Sequence, residues 1–587
     1  MEVREIAERL EEIGTLLELK GDNPFKVRAY QSGARALESL EEDLDQLIEE
    51  DRLEQVKGIG KALTEKIITL RQTGKLKFYD DLRSSIPDGL MEMLEIPGFG
   101  PKKIRKVHGE LGIDSIGGLR EACLSGRIAE LSGFGKKSAE NILRGIENRI
   151  AYGKRHLWWD VRDIALPLLE GLRELKAVEQ AEVAGSYRRG METVGDLDFI
   201  VASSDPEPVM DWFTGRPNVA EVTAKGETKS SVRFDTGLQA DLRVVPQDRF
   251  VFALHHFTGS KDHNVKMRQR ALSRGLSLSE WGIFRKGEEP EESGKAYNRP
   301  LARKGIRKEV DLFAALGLDF IEPEMREGLD ELELAETHRL PELVEYSDLT
   351  GTFHNHTKAS DGHNSLEEMA EAAARLGFSY IGIADHSKAS FQAKGLDASR
   401  LLDQVDRIGR INKAKGKRAH LFAGCEIDIL KDGSLDFGRE VTSRLDYCVI
   451  SVHASMSGLS EEEMTARIIR AIEADTGCVK ILGHPTGRLL LRREGYMVNL
   501  RRLIEAAAAN DVMIELNANP WRMDMDWRHW RQAAESGVPC VITPDAHAVE
   551  DLAYLRVGVV AARKAGLTAE QVFNTRSLDQ IVSRLMK

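Results

Sequence analysis

Cysteine is scarce. The 587-residue chain has five, at 123, 425, 448, 478 and 540, and no CxxC pair. That spacing argues against a disulfide framework. Reduced core thiols are expected, in a reducing, cytoplasmic compartment. Long apolar runs are also missing. None reaches 18 residues, so no membrane span is expected. The opening MEVREIAERLEEIG is acidic and amphipathic, without the basic and apolar regions of a secretory signal. Compositional bias is absent. Hydrophobic residues make up 42%, which excludes a disordered, collagen-like or low-complexity chain. A basic excess is lacking too, with 83 Lys+Arg against 95 Asp+Glu and a net charge of −12. That total argues against an anionic polymer as partner, but its distribution does not. Residues 1–50 hold 6 basic and 14 acidic groups, 51–150 hold 18 and 14, and 221–310 hold 18 and 12. Two locally basic windows suffice for phosphate contacts.

At about 150 residues per domain the length predicts about four domains. Residues 1–80 read as short helices; the first carries Ile6, Leu10, Ile13 and Leu17 at helical spacing. Residues 90–150 are again helical, with Gly-rich turns. Strand patterns occupy 181–250. Mixed helix and loop fill 251–320, with a charged stretch at Glu288–Glu292. The acidic segment 321–345, with Pro323 and Pro341, reads as a linker. From Thr350 apolar strands alternate with helices, a barrel or doubly wound pattern.

Three segments share one shape: VKGIGKALTEKI (56–67), IPGFGPKKIRKV (96–107) and LSGFGKKSAENI (131–142). Each places Gly-apolar-Gly before a lysine-bearing helix: Gly58 and Gly60; Gly98 and Gly100 with Lys102 and Lys103; Gly133 and Gly135 with Lys136. Glycine allows a tight turn and close approach of another backbone. The helix N-terminus behind it offers free N–H groups to a phosphate. Such contacts hold DNA without reading its sequence. One copy is an ordinary helix–helix turn; three are a pattern. The repeats resemble the helix-hairpin-helix motifs of DNA repair proteins.

In AGSYRRGMETVGDLDFIVAS (184–203), Asp196 and Asp198 are two apart, on one face of a strand. A second strand, QADLRVV (239–245), puts Asp241 and Arg243 on one side. Three converging carboxylates repel unless cations sit between them. Two Mg²⁺ ions relieve that repulsion and clamp an in-line phosphoryl transfer. Upstream, Gly185 and Ser186, followed by Arg188 and Arg189, suit a triphosphate. Together with HFTGSKDHNVKMR (256–268), these segments resemble the DNA polymerase beta family, family X. The resemblance implies that Asp196, Asp198 and Asp241 are the catalytic metal-binding carboxylates. It assigns Gly185, Ser186 and Arg189 to the triphosphate, Phe257, Gly259 and Asn264 to the nucleotide pocket, and Arg268 to the template side. His256 stands where many relatives have Tyr, which leaves sugar selectivity open. NPFKVRAY (23–30) with GIGKALTEKI resembles the family's lyase domain. Lys66 then falls on the Schiff-base position and Tyr30 near a 5′-phosphate pocket, in the DNA-binding part. Such a lysine attacks only when deprotonated.

Nine of fifteen histidines lie between 354 and 547. Seven apolar runs end in polar groups: LTGTFHNH, YIGIADH, LFAGCEID, DYCVISVH, VKILGH, VMIELNAN and PCVITPDAH. In a β/α barrel those ends meet at one face, where six histidines and several carboxylates make a multinuclear metal site. His363, His420 and His529 fall outside this register. The segments HNHTKASDG, ADHS, GCEIDI, SVHAS, GHP and PDAH resemble the polymerase and histidinol phosphatase (PHP) family. Its nine ligand positions map onto His354, His356, Asp361, His386, Glu426, His453, His484, Asp545 and His547, with Glu426 bridging two of up to three metals. Mixed His and carboxylate ligands suit Mn²⁺ or Zn²⁺ better than Mg²⁺. Trp521–Trp530 and DMDW (524–527) form an aromatic cluster that suits core packing, or the stacking of a base.

The expected architecture is multidomain. It comprises a helical lyase-like DNA-binding domain (1–85), a helix-hairpin-helix fingers-type domain (86–154), an α+β nucleotidyltransferase palm (155–250) and a thumb-type subdomain (251–320). A linker (321–345) and an α/β distorted (β/α)7 PHP barrel (346–587) follow. The expected enzyme is a family X DNA polymerase that fills short gaps in repair, with two Mg²⁺ or Mn²⁺ ions at the palm. Its barrel is expected to act as a 3′–5′ exonuclease or 3′-end phosphoesterase. Expected partners are gapped or nicked DNA and dNTP, with no membrane. Two competing readings are a PHP nuclease on a non-catalytic DNA-binding half, and a small-molecule phosphatase.

Overall fold

The computed structural model describes residues 1, 3–38, 40, 44–94, 96, 99–152, 155–287, 301–302, 305–414 and 416–585. The charged stretch at 288–292 and the repeat glycine Gly98 lie outside them. The chain divides into two compact units, Met1–Gly153 and Lys154–Lys587.

The first unit is helical throughout its described residues. Its opening helix, Val3–Lys20, buries Ile6, Leu10, Ile13 and Leu17, the stripe expected from the spacing. Each such side chain contributes roughly 1.5–3 kcal/mol on burial. Gly21, at φ +76°, ends it in the left-handed conformation. Asn23 caps the next helix, Pro24–Glu38, accepting from Phe25 N at 2.9 Å. One apolar core runs from Ile6 to Ile146. The three repeats form as expected where described. Gly60 and Gly100 stand as N-caps of Lys61–Thr73 and Pro101–Leu111, and neither helix start carries a side-chain cap. Gly135 directly precedes Lys136–Tyr152.

The second unit opens on a five-stranded sheet. Its order is Gln180–Val183, Asp196–Ala202, Gln239–Val245, Lys229–Phe234, Val219–Lys225. Asp196–Ala202 and Gln239–Val245 run parallel, and Asp198 stands directly opposite Asp241. Leu197, Phe199, Ala240, Leu242 and Val244 are fully or nearly fully buried, so the carboxylates occupy the other face. Helices Phe250–Thr258 and Lys261–Ser273 follow, then a hairpin (Leu276–Ser279 with Gly282–Arg285) and helix Glu309–Ala315.

The segment 321–345 departs from the expected linker: it is folded and packed. Ile321, Arg326, Ala335 and Val344 are fully buried. Arg326 donates to Ile321 O at 2.9 Å and pairs with Glu309 at 2.5 Å; Glu309 also pairs with Arg188 at 2.7 Å. A segment read as a linker thus supplies the cation of a buried ion-pair network.

Seven parallel strand positions make the C-terminal barrel: Gly351–Asn355, Tyr380–Ile383, a third broken into His420–Ala423 and Glu426–Asp428, then Tyr447–Ser451, Val479–Leu482, Met513–Asn517 and Cys540–Thr543. A parallel bridge between Asn355 and Ala546 closes the ring. Phe353, Tyr380, Phe422, Tyr447 and Phe573 fill the interior; Phe353 meets Tyr447 edge-on at 5.0 Å. Gly382 and Gly424 make room for these rings: a Cβ would stand 2.5 Å from Phe353 and Tyr447 respectively. That packed plug is the floor on which the histidines stand.

Candidate active sites

On the sheet, the direct register of Asp198 and Asp241 brings together the carboxylates expected from two distant segments. Burial first, then Asp196 and Asp241, push the Asp198 carboxyl up to about 7. Lys229 Nζ lies 2.6 Å from Asp241 Oδ2, supplying part of the positive charge that three carboxylates call for. Gly185, at φ +65°, approaches so closely that a Cβ would lie 2.5 Å from Asp198 Oδ2. Ser186 sits in the single turn Gly185–Arg188 that follows.

Arg189 is engaged rather than open: Nε meets Glu327 at 3.0 Å and a terminal nitrogen donates to Thr258 O at 2.7 Å. This ties the Ser186–Arg189 turn to the Phe257–Ser260 segment. There Asn264 donates to His256 O at 2.7 Å, and a Cβ on Gly259 would strike Asn264 Oδ1 at 2.8 Å. Arg243 stacks over Phe257 at 4.3 Å. His256, 3.8 Å from Glu280, is lowered by burial despite that carboxylate. Arg268 is exposed on helix Lys261–Ser273.

The barrel braces the same turn, which sequence reasoning missed. Lys564, buried, donates to Arg189 O at 3.1 Å and Glu324 O at 3.3 Å, and pairs with Glu327. Arg488 lies 3.5 Å from Glu192 and 2.7 Å from Asp526. A Cβ on Gly190 would strike Val560 at 2.3 Å.

At the C-terminal ends of the barrel strands, all nine expected ligand residues converge. Glu426, 1% exposed, is the hub. His453 and His484 Nε2 lie 3.2 and 3.0 Å from its Oε1, and His354 Nε2 3.3 Å. His386 Nδ1 and His356 Nε2 lie 3.0 and 3.7 Å from its Oε2. Asp545 is 3.2 Å from His356 Nε2, and Asp361 is 3.5 Å from both His386 and His547. Three overlapping groups have metal-holding spacing: His356, Asp361, His386 and His547; His354, His356 and Glu426; His386, Glu426 and His453. His354, His484 and Asp545 adopt positive φ (57°, 21° and 51°), a strain typical of functional sites.

The residues fit metal ions. Nε2 of His354 and both ring nitrogens of His356 are buried without a hydrogen-bond partner. Burial alone would lower His386, yet Glu426 and Asp361 hold it at about 11. Burial, His547 and His386 lower His356 to about 4. Burial would raise Glu426, but His453, His354 and His386 hold it well below the usual range. Charges of both signs locked this tightly are what cations replace.

Several supporting residues escaped sequence reasoning. Glu515 accepts from His354 Nδ1 and His484 N, each at 2.6 Å. Asp428 lies 3.1 Å from His453 Nδ1. Asp385 accepts from Thr357, Ser360 and Gln404. Arg522 and Asn517 both hold Asp545 at 3.1 Å. Period-two spacing was the available signal: Asp428 follows Glu426 by two and Glu515 precedes Asn517 by two. His363 is exposed, and neither it nor His420 nor His529 belongs to these groups. Trp530 is fully buried and Trp527 nearly so, which makes them core, as the cluster's packing reading expected.

In the first unit, Lys66 Nζ donates to Ala62 O at 3.0 Å and lies 5.6 Å from the centre of the Phe78 ring. Tyr30, buried, stacks on Phe78 at 6.1 Å. Lys102, Lys103 and Lys136 are exposed at their helix starts; a Cβ on Gly60, Gly100, Gly133 or Gly135 would meet nothing within 4 Å. The turns are therefore open to an approaching backbone.

Family models match along the chain: helix-hairpin-helix domain at 1–76, SAM-like helix-hairpin-helix tandem at 90–148, DNA polymerase beta palm at 160–225, DNA polymerase beta thumb at 253–327, and PHP domain at 352–519. The chain is 38% identical to the DNA polymerase/3′-5′ exonuclease PolX of Bacillus subtilis (strain 168) over 589 aligned positions, covering 100% of both. DNA polymerase lambda of Rattus norvegicus is 25% identical over 343 residues, 55% of this chain and 56% of that protein. DNA polymerase lambda of Arabidopsis thaliana is 25% identical over 299, 47% and 54%. Domain order, the registered carboxylates and full-length identity agree: the chain belongs to the bacterial-type family X DNA polymerases that carry a C-terminal PHP domain.

Proposed function

We propose that this protein is a DNA-directed DNA polymerase that fills short gaps in DNA during repair, joined to a metal-dependent 3′–5′ exonuclease or 3′-end phosphoesterase. The observation that carries the polymerase half is Asp198 directly opposite Asp241 on parallel strands, with Asp196 two residues away. These carboxylates would hold divalent cations, Mg²⁺ or Mn²⁺, which would neutralise charge on the triphosphate and favour loss of the primer 3′-OH proton. Asp196 and Asp198 would hold both ions, and Asp241 would act toward the primer 3′-OH. Ser186 and the Gly185 turn bring N–H and hydroxyl donors to the phosphates. Arg189 reaches them by exchanging Glu327 for the triphosphate. Phe257, Gly259 and Asn264 line the nucleotide pocket, and Arg268 faces the template. Two hairpin turns at Gly60 and Gly100, with a third at Gly135, hold the DNA backbone. Lys66, near the Phe78 ring on which Tyr30 stacks, is the lyase candidate.

For the barrel, the nine-residue cluster supports hydrolysis at a phosphodiester. Its His-rich donor set favours Mn²⁺ or Zn²⁺. These residues would hold cations, which would supply Lewis-acid chemistry at the phosphorus and stabilise the leaving oxygen. Glu515, Asp428 and Arg522 orient His354, His453 and Asp545. All five cysteines are free thiols and four are buried, which suits the cytoplasm. No helix among the described residues is long and apolar enough to cross a membrane.

The test is a labelled primer on DNA with a one-nucleotide gap and a 5′-phosphate. One complementary dNMP should be added with Mg²⁺ or Mn²⁺, and Asp241→Ala should abolish addition. Addition that survives Asp241→Ala would remove the sheet from the chemistry.

A further inference from the structure

Among the described residues, the most exposed large apolar side chain is Phe391, 81% exposed. An isolated surface phenylalanine needs no explanation; this one's setting does. It is adjacent in the chain to Ser390, whose hydroxyl donates to Asp428 at 2.6 Å and lies 3.4 Å from His453 Nδ1. The ring therefore stands at the rim of the metal cluster.

The loop that carries it is tied at both ends. Ser387 N donates to Glu426 O at 2.9 Å, and Leu396 N to His386 O at 2.8 Å. Ala389 N donates to Asp436 at 2.8 Å, and Gly395 N to Ser390 O at 3.1 Å. A Cβ on Gly395 would overlap Ser387 O at 1.9 Å, so the loop closes on itself without slack. Arg400 spans from the carbonyls of Lys394 and Gly395, each at 3.2 Å, to Ala359 O at 2.6 Å, two residues from Asp361. A tied loop thus holds an exposed aromatic ring next to Ser390, which touches Asp428 and His453 of the cluster. Lys388 and Lys394 flank it three residues away on either side. Lys388 Nζ is 4.0 Å from Asp436. An aromatic ring between cations is the composition of a single-strand platform: the ring takes a base, the cations its phosphates.

We propose that Phe391 stacks on a nucleobase of an unpaired DNA strand end whose phosphodiester enters the metal cluster, with Lys388 and Lys394 on the adjoining phosphates. The proposal rests on the reading of the barrel as a DNA phosphoesterase. Phe391 then contributes to how that site holds an unpaired end, because a paired base offers no free face within the duplex.

The experiment uses the full chain loaded with Mn²⁺ and compares unsubstituted protein, Phe391→Ala and Phe391→Trp. Two single-stranded oligonucleotides serve as substrates, one ordinary and one with base-free sugars at its last three 3′ positions. Phe391→Ala should raise KM for the ordinary end by roughly 5- to 150-fold, the usual worth of a base–aromatic stack, with kcat little changed. Phe391→Trp should restore it, and the base-free end should respond to neither substitution. A 2-aminopurine near the 3′ end should be quenched on binding to the unsubstituted protein and the Trp variant, but not to the Ala variant. An unchanged KM, or equal losses on both substrates, overturns the proposal. Failure of the underlying reading looks different: the unsubstituted protein would cut neither substrate. The 2-aminopurine signal then still decides the stack, and quenching that survives in Phe391→Ala overturns it.

Discussion

Asp198 sets up a competition between a proton and a cation. Burial, then Asp196 and Asp241, raise its carboxyl from 3.8 to about 7. At pH 6 it is protonated in about nine of ten molecules, and at pH 8 in about one of ten. A divalent cation must expel that proton, so its apparent affinity for the sheet site falls about tenfold per pH unit below 7. The same shift acts on folding. Between pH 4 and 7 the folded state holds a proton that the unfolded state has lost. The contribution of this one group to the stability of the metal-free protein is therefore full below about pH 4 and is lost as pH rises through 7. The loss is at most ~4 kcal/mol, and about half that after solvent screening of a partly exposed group. Asp198→Asn removes both effects. Calorimetric Mg²⁺ titrations in two buffers of different ionisation enthalpy read the proton directly. Unsubstituted protein minus Asp198→Asn should give about 0.9 proton released at pH 6 and about 0.1 at pH 8. Thermal melts in chelator should show the Asn variant gaining relative to the unsubstituted protein from pH 5 to 8. Equal proton release at both pH values, or a relative loss by the Asn variant, would refute the reasoning.

Other outcomes follow from named interactions. Lys564→Met removes a buried cation from Glu327 and from the Arg189 carbonyl. It should cost about 3 kcal/mol, read as a lower Tm, and raise KM for dNTP without changing exonuclease kcat. Glu515→Gln weakens the hold on His354 and His484. It should cut exonuclease rate or metal affinity by about 10- to 100-fold, measured by 3′-end release, with gap filling unchanged. Replacing Lys102, Lys103 and Lys136 by Gln should lower the salt slope of DNA binding by about 0.9 for each phosphate that is no longer neutralised, measured by anisotropy from 50 to 200 mM salt.

Much of the site was legible because its residues lie in short segments with a period. Asp196 and Asp198 alternate with Leu197 and Phe199, and the buried face follows from that alone. The seven strand ends declared themselves by apolar runs that stop at polar side chains, most of them His, Asp or Glu. The three glycine turns repeat one local pattern. What escaped depends on pairings between distant segments. Arg189 reads as a free triphosphate ligand, but Glu327 lies 138 residues on and Lys564 a further 237. The acidic 321–345 segment reads as a linker because Glu309, the partner of its buried Arg326, lies outside it. Asp428 and Glu515 hide among core residues, since only the closed barrel turns them toward His453, His354 and His484.

The central claim is two independent active sites on one chain. The direct measurement follows a 5′-labelled primer on one-nucleotide-gapped DNA, with dNTP and Mg²⁺ or Mn²⁺, for unsubstituted protein, Asp196→Ala and His386→Ala. Extension should be lost only in Asp196→Ala, and shortening only in His386→Ala. Shortening intact with no extension under any condition would contradict it, leaving the first half a DNA-binding adaptor and the barrel the sole enzyme.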